Sequence, residues 1–139
     1  MNKAKLAEQL KQHEGLRLKP YTDTVGKLTL GIGRNLEDKG ITEQEALFML
    51  NNDVDYFYSQ LNKNLTWFRS LDDARQNVLV NMAFNLGIRG LLTFKMTLSL
   101  IEYGDYDNAA TEMLNSVWAY QVGQRAIELS KQMVTGEFQ

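Results

Sequence analysis

Residues 13–36 read HEGLRLKPYTDTVGKLTLGIGRNL. Here a helical period gives way to a shorter one. Leu16, Leu18 and, beyond Pro20, Tyr21 predict one strand, and Lys27–Ile32 predicts a second, with Asp23 and Gly26 in the turn between them. Pro20 suits a strand end or an edge, because it has no N–H for a ladder. Gly31 and Gly33 mark a bend or a close approach of backbone, and Asn35–Gly40 reads as a polar loop. Gly31-Ile32-Gly33 is not a dinucleotide loop: the third glycine would fall on Leu36, and no helix opens there. The stretch is a small antiparallel sheet set into an otherwise helical chain, which is the α+β class.

Outward from the sheet the pattern is helical on both sides. Residues 3–13 form a short amphipathic helix, with Leu6 and Leu10 four apart and Gly15 placed to close it. Thr42 and Glu45 make a capping box at the start of a long helix with an apolar stripe from Leu47 to Leu61. A loop around 62–69 leads to Ser70, read as the cap of a helix over Leu71–Leu86, apolar on nearly all sides and ended by Gly87. Shorter helices follow: Lys95–Glu102 before Gly104, Tyr106–Asn115 capped by Asp105, and about Gln124 to Val134 before Gly136. The expected organisation is one domain: a sheet lobe over about 14–41, a connecting helix over about 43–61, and a helical lobe over about 62–139 that the N-terminal helix joins.

Composition removes several function classes. Seventeen acidic against fifteen basic residues, a net charge of −2, leave no basic stripe for nucleic acid. The absence of cysteine excludes disulfides and thiolate metal sites, and a single histidine argues against a histidine zinc site or a Ser-His-Asp triad. The N-terminal segment shows no signal-peptide core, and no run approaches the roughly 20 apolar residues of a membrane span. A soluble, monomeric cytoplasmic chain without cofactor, metal or stable membrane association is the expectation.

Glu14, Asp23 and Thr29 are the first chemical candidates. Glycoside hydrolysis needs one carboxylic acid to protonate the leaving oxygen and a second carboxylate to activate water or attack the sugar. A hydroxyl can hold that water. Glu14 stands where the first helix ends, at the negative pole of its dipole, which suits a group that must keep a proton. The bland alternative is a solvated loop, since spacing alone does not bring side chains together. A second group, Trp118-Ala119-Tyr120-Gln121 with Arg125, places aromatics, an amide and a cation at one helix junction, where packing is the ordinary role.

Glu14-Gly15-Leu16-Arg17-Leu18-Lys19, then Tyr21, Asp23, Thr24, Thr29, Gly31, Ile32 and Gly33, resemble the T4-type phage lysozymes of glycoside hydrolase family 24. The likeness continues through Asn52–Asp55, Ser70–Asp72, Asn81–Gly87 and Trp118, Gln121, Arg125 and Ala126, so it spans essentially the whole chain. The resemblance implies a lysozyme-like fold and a muramidase cutting the β-1,4 bond between N-acetylmuramic acid and N-acetylglucosamine in peptidoglycan glycan strands. It implies Glu14 as general acid, Asp23 and Thr29 as the holders of the attacking water, and inversion at the anomeric carbon. Arg125 would support Glu14, with Gln121 and Trp118 beside it, and Asn35, Phe84, Thr97 and Glu112 would line the sugar cleft. An endolysin held in the host cytoplasm until a holin releases it is the implied setting.

Three departures stand out. Arg34 occupies a position where the family has a histidine paired to the aspartate matching Asp53, so an Arg34–Asp53 pair is expected. The loop from Asn35 to Thr42 is short, and Asn35 and Glu112 differ in type from the residues they match. Two rival readings are a non-catalytic sugar-binding or structural module, as in a phage tail, and a helical nucleic-acid binder; the intact Glu14, Asp23 and Thr29 oppose the first and the charge balance opposes the second.

Overall fold

The structure, a computed structural model, describes all 139 residues. Helix α1 (Lys3–Glu14) is opened by Asn2, whose side chain accepts the Lys5 N–H at 3.0 Å, and closed at Gly15, whose N–H reaches Lys11 O at 2.9 Å. Strands β1 (Arg17–Thr22), β2 (Leu28–Gly31) and β3 (Arg34–Asn35) form one antiparallel sheet in the order β1-β2-β3. The third strand was not visible in the sequence: it is two residues long, too short to show an alternation. Helix α2 (Glu43–Asn64) starts on the expected capping box. Glu45 N–H bonds Thr42 Oγ1 at 3.1 Å, and Thr42 N–H returns to Glu45 Oε1 at 2.9 Å.

Arg34 departs from expectation. Its Nη1 lies 2.9 Å from Glu45 Oε1 and 3.3 Å from Gly40 O, so Glu45 and not Asp53 is its anion. The short 36–41 loop explains the change: it brings the start of α2 within one side chain's reach of β3.

The second half is helical: α3 (Asp73–Leu92), α4 (Lys95–Tyr103), α5 (Tyr106–Leu114), α6 (Val117–Val122) and α7 (Gln124–Thr135). Asp72 caps α3, accepting the Arg75 N–H at 3.0 Å, while Ser70 closes a 3₁₀ turn on Trp67 O instead. Gly87 (φ 76°, ψ 161°) breaks α3 where the sequence placed a stop, but a second segment continues to Leu92. Helix α3 is not buried all round. Val78, Leu79, Met82 and Ala83 are in the core, whereas Asn77, Asn81, Phe84 and Asn85 are exposed. Helix α6 is an addition: Ser116 accepts the Ala119 N–H at 3.1 Å, and Gly123 (φ 56°) ends it.

The chain divides into two compact units, Met1–Met49 and Leu50–Gln139, and α2 runs across the division. The core belongs to the second unit: Leu61, Phe68, Val78, Leu79, Met82 and Met133 are fully buried there. Arg75 joins three of its helices. The guanidinium donates to Met133 O (2.7 Å) and Val134 O (2.9 Å), pairs with Asp72 (2.9 Å) and lies 3.6 Å over the Tyr106 ring. A cation at the end of α7 is favoured by the helix dipole as well as by these bonds.

The Glu45 carboxyl is held down to about 2, well below its ordinary 4.5, by the Arg34 hydrogen bond first and the Thr42 N–H and hydroxyl next. A carboxylate with a lowered folded-state value stabilises the fold above its unfolded value and loses that contribution as protons arrive. The stability difference between the parent and Glu45→Gln is therefore expected to be flat above about pH 5 and to shrink between about pH 4.5 and pH 2. Urea denaturation across that range checks it; a difference that grows on acidification would contradict the assignment.

Candidate active site

Asp23 and Thr29 are joined through the backbone of one residue, Lys27. The Asp23 N–H and the Thr29 hydroxyl both donate to Lys27 O at 2.9 Å, and the Lys27 N–H returns to Asp23 Oδ1 at 2.8 Å. Asp23 Oδ1 also accepts the Val25 N–H at 2.9 Å, and Gly26 (φ 84°) makes the turn, its N–H bonded to Asp23 O at 3.1 Å. An aspartate that bonds backbone two and four residues ahead is a turn-former by its own chemistry. Here that tie occupies Oδ1 and leaves Oδ2 without a protein partner. Thr29 sits at the centre of the sheet, opposite Tyr21 on β1 and Asn35 on β3, and is 3% exposed. Its hydroxyl proton is committed to Lys27 O, so toward any further group Thr29 Oγ1 is an acceptor.

Glu14 is the last residue of α1, and it is exposed. Its carboxylate lies against Gly33: a Cβ built on Gly33 would stand 2.9 Å from Glu14 Oε2 and 3.0 Å from its Cδ. Gly33 also has φ 67°. Two requirements, room for the carboxylate and a left-handed backbone, thus meet at one glycine. The Gly33 contact had a legible trace in the glycine pair. The role of the Lys27 backbone had none, because backbone groups carry no side-chain signal.

The remaining candidates separate. Asn35 bonds Asp38 from both ends of its amide, Nδ2 to Oδ2 at 3.0 Å and Oδ1 from the Asp38 N–H at 3.0 Å, so it fastens the 35–38 turn. Thr97, Glu112, Trp118 and Gln121 line one groove of about 480 Å³ in the helical unit, together with Phe94 and Met96. Trp118 is buried, its Nε1 donating to Asn85 Oδ1 at 2.8 Å and its ring edge-on to Phe94. Phe84 and Arg125 line a different hollow of about 310 Å³ with Val54, Val80 and Asn81. Phe84 is 43% exposed and leans on Phe57, with centroids 5.7 Å apart. Arg125 donates Nε to Asn81 Oδ1 at 2.9 Å and Nη2 to Asn81 O at 3.2 Å.

Asn81 and Asn85 were missed as site residues. Their signal was two amides four apart on a largely apolar helix, a spacing that puts both on one face. No group of three acidic or histidine side chains could hold a metal, and no helix is long and apolar enough to cross a membrane.

Comparison with known proteins converges on one family. The family model described as phage lysozyme matches residues 11–133. "Probable T4-type lysozyme 1" of Dictyostelium discoideum is 32% identical, over 94% of this chain and 94% of that protein. "Endolysin" of Acyrthosiphon pisum secondary endosymbiont phage 1 is 30% identical, over 84% of this chain and 80% of that protein. "Pre-baseplate central spike protein Gp5" of Enterobacteria phage T4 is 27% identical over 96% of this chain, which spans 28% of that protein's length.

Gly33→Ala tests the local geometry. A left-handed non-glycine residue costs about 1–2 kcal/mol, and the new methyl must also displace the Glu14 carboxylate. The expected result is a stability loss of about that size by urea denaturation, with Glu14 in a different rotamer in the variant's crystal structure. An unchanged Glu14 would mean that the carboxylate does not rest on Gly33.

Proposed function

Since this chain belongs to the T4-type phage lysozyme family and is a glycoside hydrolase, we propose that it cuts the β-1,4 bond between N-acetylmuramic acid and N-acetylglucosamine in peptidoglycan, with inversion. Glu14 is the general acid, and Asp23 and Thr29 hold and activate the water. The observation that supports this reading is the shared Lys27 backbone: the Asp23 carboxylate takes its N–H and the Thr29 hydroxyl its carbonyl, which leaves Asp23 Oδ2 without a protein partner and Thr29 Oγ1 as an acceptor.

A water between two acceptors gives each a proton and keeps a lone pair for the sugar. Glu14 gives its proton to the glycosidic oxygen as the C1–O bond breaks. The water oxygen bonds C1 from the opposite face, and Asp23 takes the water's proton. Two carboxyls with a water between them is the inverting arrangement, whereas a retaining enzyme needs the second carboxyl close enough to attack C1 itself. Asp23 Oδ1 is bonded twice to backbone, which suits a fixed base better than a nucleophile that must move.

In the helical unit, Phe84 offers an exposed aromatic face and the groove around Thr97 and Glu112 offers polar atoms for sugar hydroxyls and amides. The supporting roles of Arg125, Trp118 and Gln121 are carried over from the family resemblance. Lysis of a bacterial host by an endolysin released through a holin is the biological setting we infer. A tail-associated role is the alternative that the likeness to the central spike protein favours; the chemistry is the same.

Clearing of outer-membrane-permeabilised Gram-negative cells tests the acid, and the anomer of the first product tests the water. Glu14→Gln, verified as folded, is expected to lose activity by about 10²–10⁴-fold. The parent is expected to release the α-anomer at the new reducing end. Activity retained in Glu14→Gln would remove the acid assignment, and a β-anomer would replace the held water with a covalent step. If neither protein clears cells but both bind peptidoglycan, the chain is a binding module.

A further inference from the structure

The ledge beneath the Glu14 carboxylate has little stiffness of its own. It consists of Gly31, Ile32 and Gly33, with φ of 73° and 67° at the two glycines, and Ile32 is exposed. Glycine restricts its own backbone less than any other residue. Whatever fixes the ledge must therefore lie on its flanks. One flank is the sheet: Gly31 lies opposite Arg17 on β1, and the β2–β3 ladder pairs Leu30 with Arg34 and Thr29 with Asn35, followed by a Leu36 N–H bond to Leu28 O at 2.8 Å, so that beyond Gly31 the sheet holds only the far side of the turn.

The other restraint is the Arg34 side chain. From the residue directly after Gly33, its Nη1 reaches Glu45 Oε1 at 2.9 Å and Gly40 O at 3.3 Å. Glu45 does not swing freely, since the same Oε1 accepts the Thr42 N–H at 2.9 Å and the Glu45 N–H holds Thr42 Oγ1. The guanidinium thus ties the ledge to the first turn of a 22-residue helix.

We propose that Arg34 is a positioning residue for the acid: clasped by Glu45 and the Gly40 carbonyl, it fixes the height and tilt of Gly33 under the Glu14 carboxylate. The inference rests on Glu14 being the acid. An ion pair whose side chains are 29% and 41% exposed adds little to global stability, so the consequence of the tie is geometric. Displacements of about 1 Å at a reacting group cost rate out of proportion to their cost in stability. Arg34 touches no reacting atom and acts only through Gly33.

Three folded variants compared with the parent test it. Arg34→Met keeps the stem and removes the donors. Its kcat on peptidoglycan is expected to fall about tenfold with KM within about twofold, and the nuclear Overhauser contact between Glu14 Hγ and Gly33 Hα is expected to weaken. Arg34→Lys, which keeps a donor for Glu45, is expected to recover most of the loss. Glu45→Gln, which removes the anion, is expected to reproduce Arg34→Met and stands in for it should that protein fail to fold. Parental kcat with an intact Glu14–Gly33 contact, in Arg34→Met or in Glu45→Gln, overturns the inference whatever the melting temperature does. Glu14→Gln run alongside separates the two failures. If it is active, the acid assignment falls; if it is dead while Arg34→Met is fully active, only the role of Arg34 falls.

Discussion

The backbone of Lys27 is the point on which the turn between β1 and β2 depends. Its carbonyl accepts from the Asp23 backbone and the Thr29 hydroxyl, and its N–H is given to the Asp23 carboxylate. A turn between two strands ordinarily has only to reverse the chain. This one also ties the Asp23 carboxylate, in the turn, and the Thr29 hydroxyl, on β2, to the N–H and the carbonyl of one residue. Rotating either away would break a hydrogen bond at a sheet of three short strands, two of them four residues or fewer. Turn stability and the placement of these two side chains are therefore one constraint, and a change that loosens the hairpin moves both.

The Glu14 carboxylate is held by a different logic. Glu14 accepts no hydrogen bond from the protein, and its position follows from where α1 ends and from what lies beneath the carboxylate. Gly33 gives it a surface without side-chain atoms. That surface is soft, and the stiffness comes from outside, through a guanidinium anchored on a helix cap. Asp23 and Thr29 are placed by hydrogen bonds to one residue of the turn, while Glu14 relies on packing between α1 and the β2–β3 turn. Strain or sequence drift in the 36–41 loop would consequently reach Glu14 before it reached Asp23.

Much of the fold was legible because it is written in side chains. The Thr42–Glu45 capping box, the stops at Gly15, Gly87, Gly104 and Gly136, and the switch in period across residues 13–36 each have a local physical cause. The misses are of two kinds. Strand β3 and helix α6 are shorter than the window that a periodicity needs, and the continuation of α3 past Gly87 depends on packing of Leu91 that no neighbour in sequence reports. The partner of Arg34 was misread for another reason. The expected pair with Asp53 rested on the family resemblance, whereas the carboxylate that Arg34 meets is the capping Glu45 of α2. At the candidate site the types of Asp23 and Thr29 are visible in the sequence, whereas the Lys27 backbone that joins them is not.

Electrostatics leaves the recognition of substrate to short-range contacts. A net charge of −2 supplies no steering toward an anionic wall polymer, and at physiological ionic strength exposed charges are screened beyond roughly 8 Å. The groups available for contact are of the short-range kind. Phe84 presents an exposed ring, and the groove beside Trp118 is walled by Thr97, Glu112 and Gln121 with the ring of Phe94 and the thioether of Met96. Sugars bind such surfaces by stacking apolar faces and by hydrogen bonds whose geometry must be right, interactions that fall away within a few ångströms. Weak long-range attraction has a compensation for an enzyme that works along a polymer: release after each cut is not opposed by a standing charge, and binding strength can be kept for the arrangement in which the bond breaks.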